Sequence, residues 1–478
     1  MPDNDKYTEF INFLKEKSTY FLDYIREKNS PILLVSHYDA DGLCSASLFT
    51  YFLQSKNHAF QLKIIEELTT ENIEKIYRSN YETIIFTDLG SGMNTYIYDL
   101  LRDRMVFIID HHKPLSNKTI EENNFHEINP IFFEIDGSKE ASSSTLTYLF
   151  LRNVDEKIVK YGGISLVGAL GDRQDIGKRY SLIGLNSLIV KEAEKYNIIN
   201  TKIGLRLFGV SSRPIVKALE YTMDPFIPGI SGNESLCIKF LKEIGIAPTN
   251  NGKYRPISSL SPSEIKKLAT ELIKYMLLNK IPVREAERIF GMKYFLSNEP
   301  PNSSLKDLRE FAYMINACGR LGYYGTAIML CLGKRGEILA RAYEHAQEYR
   351  RILAKTMSNI RESKEIIKKE FNNFLFLNLN NLVNEKITGA IASILANSLH
   401  NNNDKILLVV ASRVEKKFKI SVRKLTRNIS KEIHIGEILE KVSKKFNGVG
   451  GGHRDAGGAL VDEEFLEDFL SSLDKFLQ

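Results

Sequence analysis

The sequence predicts a two-part α/β protein: a parallel-sheet domain with a mainly helical insertion, joined by a long helix to a smaller α/β domain. Three observations predict it. Short apolar runs at Pro31–Ser36, Thr83–Asp88 and Met105–Asp110 alternate with helical patterns such as Gly42–Leu53, where Cys44, Leu48, Phe49 and Phe52 fall near helical spacing. Continuous apolar strands separated by helices mark a parallel sheet covered on both faces. Next, a charged helical pattern runs from Gly336 to about Asn373 without a further Gly or Pro. Beyond it a second α/β pattern begins: a helix near Gly389–Leu399, strands at Ile406–Ala411 and Phe418–Val422, a helix near Gly436–Phe446, a glycine loop and a closing helix from Asp462. The expected domains are 1–335 (core about 30–195, insertion about 200–310), a connecting helix 336–378, and 379–478.

Residues ~200–310 read mostly as helix, with Ser261-Pro262-Ser263-Glu264 opening one by a cap and an initial Pro. Apolar residues at 43% and charged residues at 26% exclude a wholly disordered chain. The polar start MPDNDKYTEF does not read as a signal peptide, and no apolar run reaches the ~18 residues that span a bilayer. A soluble cytoplasmic protein without a membrane partner is expected. Four scattered cysteines with no CxxC pair exclude a disulfide scaffold and a cysteine zinc site. The net charge of +6 is local, because Arg413–Arg427 alone holds seven Lys or Arg against one Glu.

What ends each strand carries the functional argument. The first is followed by His37-Tyr38-Asp39-Ala40-Asp41-Gly42, the second ends in Asp88, and the third in Asp110-His111-His112. A later apolar run, Ile164–Leu170, read as a further equivalent strand end, leads into Gly171-Asp172. The carboxyl ends of parallel strands line one crevice. A single Asp after a strand is ordinarily a turn former or helix cap, but four such sites converging are hard to obtain from turns alone. So many carboxylates in one crevice would raise one another's pKa unless cations held them. Mixed carboxylate and imidazole donors suit Mn²⁺, then Mg²⁺, better than Zn²⁺. Two ions sharing a carboxylate activate water against a phosphate ester.

Asp110-His111-His112, with His37-x-Asp39-x-Asp41-Gly42, Asp88 and Gly171-Asp172, resembles the DHH phosphoesterase superfamily over about residues 31–175. Asn316-Ala317-Cys318-Gly319-Arg320 resembles a motif of its RecJ branch, and Gly450-Gly451-Gly452-His453 the signature of the DHH-associated carboxyl-terminal domain. The resemblance to archaeal RecJ-like nucleases implies one metal on His37, Asp39 and Asp88, and another on Asp41, Asp88, His111 and Asp172. It implies His112 facing the scissile phosphate, Asp110 supporting the histidine pair, and Asn316 and Arg320 near substrate. By sequence alone Arg320 reads rather as a helix-end cation. Ser142-Ser143-Ser144 matches a family loop or caps a helix. A catalytically inactive relative in replication and small-substrate phosphoesterases belong to the same superfamily. A purely structural role predicts loss of metal ligands, and every candidate ligand is present.

The carboxyl-terminal part supplies the second argument. Alternation in Lys417–Arg423 puts Phe418, Ile420 and Val422 on one face and Lys417, Lys419, Ser421 and Arg423 on the other. Such a stripe suits phosphates, although a solvated edge strand carries lysines too. Gly450-Gly451-Gly452, followed by His453 and Arg454, would let backbone N–H groups converge on an anion. The expectation is an exonuclease with two Mn²⁺ or Mg²⁺ ions that threads single-stranded DNA, or RNA, between its domains and releases 5′-mononucleotides. By resemblance it associates with the GINS replication complex at the chromosome.

Overall fold

The computed structural model describes residues 3–116, 120, 122–362, 366–383, 385–399, 405–425, 433–446, 448–452 and 454–477. The chain divides into two compact units, 1–204 with 291–347, and 205–290 with 348–478.

The first unit opens with α1 (Asp3–Lys28), β1 (Ile32–His37), α2 (Ala40–Ser55), β2 (Phe60–Ile65), α3 (Thr70–Tyr77), β3 (Thr83–Thr87), α4 (Asn94–Leu101), β4 (Met105–Ile109) and β5 (Phe125–Ile128). These strands form one all-parallel sheet in the order β2-β1-β3-β4-β5. Alternation along the strands feeds two cores. Leu33, Val35, Ile84, Phe86, Val106 and Ile108 pack with Ile73, Ile76, Ile97 and Leu101 of α3 and α4. On the other face Phe21 of α1 meets Phe49, Phe52, Phe107 and Phe150 at ring distances of 5.1–6.2 Å. Both faces are therefore dry, which is why the strands read as unbroken apolar runs.

Three helices follow, α5 (Ser143–Arg152), α6 (Gly162–Gly171) and α7 (Gly184–Lys195), then strand β6 (Ile199–Leu205). The run expected as a strand before Asp172 is helix α6. Gly162 through Leu170 are all buried, so the helix shows no polar face, and a short apolar run cannot distinguish the two forms by periodicity.

In the second unit, α8 (Ile215–Tyr221), α9 (Glu234–Glu243), the two-residue strands β7 (Thr249–Asn250) and β8 (Lys253–Tyr254), α10 (Pro262–Leu278) and α11 (Val283–Ala286) surround their own core of Val216, Leu219, Cys237, Leu241, Leu268 and Leu272. α10 opens with the expected reciprocal cap of Ser261 and Glu264. Strand β9 (Phe290–Leu296) pairs with β6, and α12 (Leu308–Arg320) and α13 (Tyr324–Cys331) return to the first unit.

Helix α14 is shorter than the charge pattern suggested, running Glu337–Glu362. Ile367–Glu370 is instead strand β10, captured by antiparallel pairing with β11 (Phe374–Asn378). Then come α15 (Glu385–Leu399), β12 (Leu407–Val414), β13 (Lys417–Lys424), α16 (Ile435–Lys444), β14 (Val449–Gly452), β15 (Ala456–Asp462) and α17 (Leu466–Phe476), with a six-stranded sheet ordered β10-β11-β12-β13-β15-β14. Residues 450–452 are thus an edge strand rather than a loop, and the closing helix begins four residues after Asp462.

Candidate metal centre

The carboxyl ends of β1, β3 and β4 carry the chemistry. His37 is the last residue of β1, and Asp39 caps α2 by accepting the Gly42 N–H at 3.1 Å. Asp88 follows β3 in the left-handed region at φ 61°, which a short polar side chain tolerates at a cost on the order of 1 kcal/mol. Its N–H donates to the Ile109 carbonyl at 3.0 Å, holding it beside the end of β4.

Around Asp88 two sets of donors gather. His37 Nδ1 lies 3.1 Å from Asp39 Oδ2 and 3.3 Å from Asp88 Oδ2. On the other side His111 Nε2 lies 3.4 Å from Asp88 Oδ1, 3.3 Å from Asp172 Oδ2 and 3.9 Å from Asp41 Oδ2. His37, Asp39 and Asp88 place one donor atom each within 4.8 Å of one another, and so do Asp41, His111 and Asp172. Asp88, Asp110, His111 and His112 form a further such group. Either of the first two sets could hold a divalent cation, with Asp88 between them.

These donors fit a cation better than they fit each other. Asp88 is 2% exposed, yet neither carboxylate oxygen makes a hydrogen bond, and His37 Nδ1 makes none either. Their close approaches lack hydrogen-bond geometry, so buried polar atoms face one another unpaired, an arrangement that is costly unless a cation fills it. The electrostatics agree. Burial, reinforced by the charge on Asp88, pushes the Asp41 carboxyl up to about 7. Burial, with Asp41 and Asp39 nearby, holds Asp172 well above the usual carboxylate range. Burial alone would lower both histidines, but Asp39 and Asp88 raise His37, and Asp88, Asp172 and Asp41 raise His111, well above the ordinary imidazole value. Asp39 is drawn down against its burial by His37.

Asp110 is occupied differently. Its Oδ1 accepts from the N–H groups of His111 (2.8 Å) and His112 (3.2 Å) and from His112 Nδ1 (2.7 Å), while Oδ2 accepts from the Ser91 N–H at 3.0 Å. Against its burial, His112 above all depresses its pKa. With these acceptor sites engaged, Asp110 orients the histidine pair, and His112 remains about one-third exposed.

Some contacts escaped the sequence reading. Asp41 sits on the N-terminus of α5, accepting the N–H groups of Ser143 (2.6 Å) and Ser144 (3.0 Å) and the Ser144 hydroxyl. Ser142 caps that helix, so one serine run serves as cap and carboxylate cradle together. A Cβ at Gly168 would lie 2.1 Å from Ser144 Oγ and 2.5 Å from Asp41 Oδ1. The sequence marked this serine run as a loop or a helix cap, without its hold on Asp41. Asn316, expected near substrate, accepts the Ala40 N–H at 3.0 Å and so steadies the start of α2. Arg320 ends α12 with its guanidinium 5.9 Å from the centre of the Tyr38 ring.

The remaining candidates belong to the second unit. Strand β13 lies between β12 and β15 in its sheet, and the expected open stripe along it is partly buried. Lys417 is exposed, Lys419 half-buried and Ser421 buried. Arg423 donates to Ser393 Oγ and the carbonyls of Gly389, Val422 and Gly457. The glycines do not form an anion nest: Gly450, Gly451 and Gly452 pair with Ala459, Gly458 and Gly457 of β15. They let α16 approach closely, since a Cβ at Gly450 would meet Ser443 Oγ at 2.3 Å, and one at Gly436 the Gly452 carbonyl at 2.1 Å. Arg454 is exposed and its carbonyl accepts the Ile435 N–H; His453 lies outside the described residues.

Comparisons with known proteins bear on this arrangement. Residues 31–168 match the DHH family N-terminal domain, 207–290 the DHH-CID domain and 372–478 the DHHA1 domain. An uncharacterized protein of Methanocaldococcus jannaschii is 29% identical over 453 residues, 93% of each chain. CDC45 from Entamoeba histolytica has a similar fold, with a TM-score of 0.64 at 12% identity over 98% of both chains. RecJ of Thermus thermophilus in complex with Mn²⁺ gives 0.56 at 14% identity, over 97% of this chain and 54% of that one. A manganese-bound exonuclease RecJ gives 0.52 at 17% identity, over 97% and 94%. The three successive domain matches place the chain in the DHH superfamily, with a fold that it shares with CDC45 and RecJ.

Proposed function

We propose that this protein is a metal-dependent exonuclease that hydrolyses single-stranded DNA, and RNA as a second substrate, to 5′-mononucleotides in replication or repair. The observation that carries the reading is Asp88, whose two buried oxygens lack hydrogen bonds and stand between two imidazole–carboxylate sets. His37, Asp39 and Asp88 would hold one divalent ion, and Asp41, Asp88, His111 and Asp172 the other. Mn²⁺ suits this donor mixture, with Mg²⁺ able to replace it. A bound ion pair supplies charge stabilisation to a phosphodiester and makes water a competent nucleophile at neutral pH. The chain's own part is to set the donors, to orient His112 through Asp110 for contact with the phosphate, and to bind the strand through basic residues such as Lys417 and Arg454. No serine or cysteine nucleophile is required.

A second reading is favoured by the CDC45 likeness, which spans 98% of both chains: a non-catalytic replication component, docking a partner such as GINS. The two readings part on one experiment. The purified protein with Mn²⁺ receives a single-stranded oligonucleotide labelled at its 5′ end in one reaction and at its 3′ end in another. Mononucleotide release from one label with a ladder from the other supports the exonuclease and fixes its polarity. Intact oligonucleotide in both reactions, with Mg²⁺ also tried and strand binding retained, supports the scaffold.

A further inference from the structure

Behind His111 runs a chain of buried side chains outside the donor set. Gln174, 0% exposed, points its Nε2 at two carbonyls, Gly137 O at 3.0 Å and Ala141 O at 3.1 Å. Two carbonyls at one end admit only the NH₂ end of the amide, so the orientation of Gln174 is forced. Its Oε1 then needs a donor and takes Asn186 Nδ2 at 2.7 Å. That fixes Asn186 in turn, whose Oδ1 accepts from Thr145 Oγ1 at 2.6 Å. Thr145 accepts from Ser142 Oγ at 3.2 Å, at the first turn of α5, where Ser143 and Ser144 hold Asp41.

The other end of this chain meets the metal centre. Gly137 O, braced by Gln174, also faces His111 Nδ1 at 2.6 Å, far closer than Gln174 Nε2 itself, which stands 3.4 Å from that nitrogen. A carbonyl accepts only, so the imidazole must carry a proton on Nδ1 and direct Nε2 toward Asp41, Asp88 and Asp172. Gly137 permits this approach, because a Cβ there would lie 2.1 Å from the His111 carbonyl.

We infer that Gln174 is a positioning residue that, with Asn186 and Thr145, holds the Gly137 carbonyl against His111 Nδ1 and so fixes the imidazole in its metal-binding tautomer. The inference rests on the metal-dependent reading above and adds residues that touch neither ion nor substrate. Because the same chain ends at the helix that cradles Asp41, it links two donors of one ion and none of the His37–Asp39 set.

The test is a Mn²⁺ titration without substrate, following the resonance of free Mn²⁺, alongside melting in chelator. Gln174→Met and Gln174→Glu are expected to weaken one of two Mn²⁺ sites by about 10–100-fold while leaving the other as in the parent. Thr145→Val, nearly isosteric, is expected to weaken the same site by a smaller factor, and Thr145→Ser to retain parental affinity. Variants that melt earlier in chelator yet bind both ions as the parent does would overturn the inference and leave the metal-dependent reading standing. A parent that binds no Mn²⁺ would overturn both.

Discussion

Asn316 and Ala40, 276 positions apart, are joined by a hydrogen bond of 3.0 Å from the Ala40 N–H to the Asn316 side-chain oxygen. Ala40 is the first residue of α2 and lies between Asp39 and Asp41, so this bond satisfies an orphan donor of the helix where two carboxylates must be placed. Asn316→Leu leaves that N–H unpaired, at a cost of about 1–3 kcal/mol. The expected result is a lower melting temperature and weaker Mn²⁺ binding with unchanged affinity for a single strand in chelator. Strand affinity that falls while Mn²⁺ binding holds would make Asn316 a substrate contact instead.

Asp88 is where the two donor sets meet, so Asp88→Asn should act on both. Asparagine accepts the left-handed backbone at φ 61° and keeps the shape, so folding is expected to survive. Mn²⁺ binding at both positions and cleavage should be lost, at least 100-fold in rate by analogy with other lost charge-stabilising groups. Strand binding in chelator should remain. Full Mn²⁺-dependent cleavage in this variant would show that the site lies elsewhere.

The raised Asp41, Asp172, His37 and His111 give the centre a definite pH dependence. All four hold protons more tightly in the metal-free fold than in an unfolded chain. Their contribution to stability is therefore present at low pH and lost as pH rises through the folded values, about 7 for Asp41. Binding a cation requires these protons to leave, so Mn²⁺ affinity should rise with pH, about tenfold per pH unit for each proton displaced. In chelator the melting temperature should fall between pH 6 and 8, and saturating Mn²⁺ should remove that fall. Mn²⁺ affinity that is flat over this range would contradict the proton count.

The sequence made the ends of β1, β3 and β4 legible because both faces of the sheet are dry. Where an unbroken apolar run stops at His37, Asp88 or Asp110, the polar residue has no core role. Asp172 was found by its place after an apolar run, though the run is α6, a helix buried on every side. Gln174 was beyond reach, and so was the hold of Ser143 and Ser144 on Asp41, because these partners are brought together only by tertiary packing. The glycines of β14 misled for a related reason: a triplet that frees backbone N–H groups for an anion looks the same as one that clears space for α16. Which it is depends on the helix packed against it.

Gly319 marks how tightly α12 rests on the loop after β1. A Cβ there would lie 1.9 Å from the Tyr38 carbonyl, a backbone atom that cannot rotate away. Gly319→Ala should therefore cost about 1–3 kcal/mol and weaken Mn²⁺ binding, because Tyr38 sits between His37 and Asp39. Melting and Mn²⁺ titration of this one variant check both, and unaltered melting would mean that α12 can shift without disturbing the loop.

Arg423 and Lys417 separate packing from strand binding in the carboxyl-terminal domain. The Arg423 guanidinium bonds Ser393 Oγ at 2.9 Å and the carbonyls of Gly389 at 3.0 Å, Val422 at 2.8 Å and Gly457 at 3.3 Å, tying α15 to β13 and β15. Gly389 leaves room for it, since a Cβ there would approach Arg423 Nη2 to 3.0 Å. Arg423→Ala strips several carbonyls of a charged donor, and about 1–3 kcal/mol of stability should go with it. Lys417 on the same strand is exposed and 3.4 Å from Asp462, so its replacement costs the fold little. If phosphates run along this face, Lys417→Gln should lower the slope of log affinity against log salt by about 0.7 for a single strand, with melting unchanged. Arg423→Ala should instead melt early and keep the parental salt slope. The reverse pattern, a flattened slope at Arg423 with stability intact, would show that the guanidinium leaves its carbonyls to meet a phosphate.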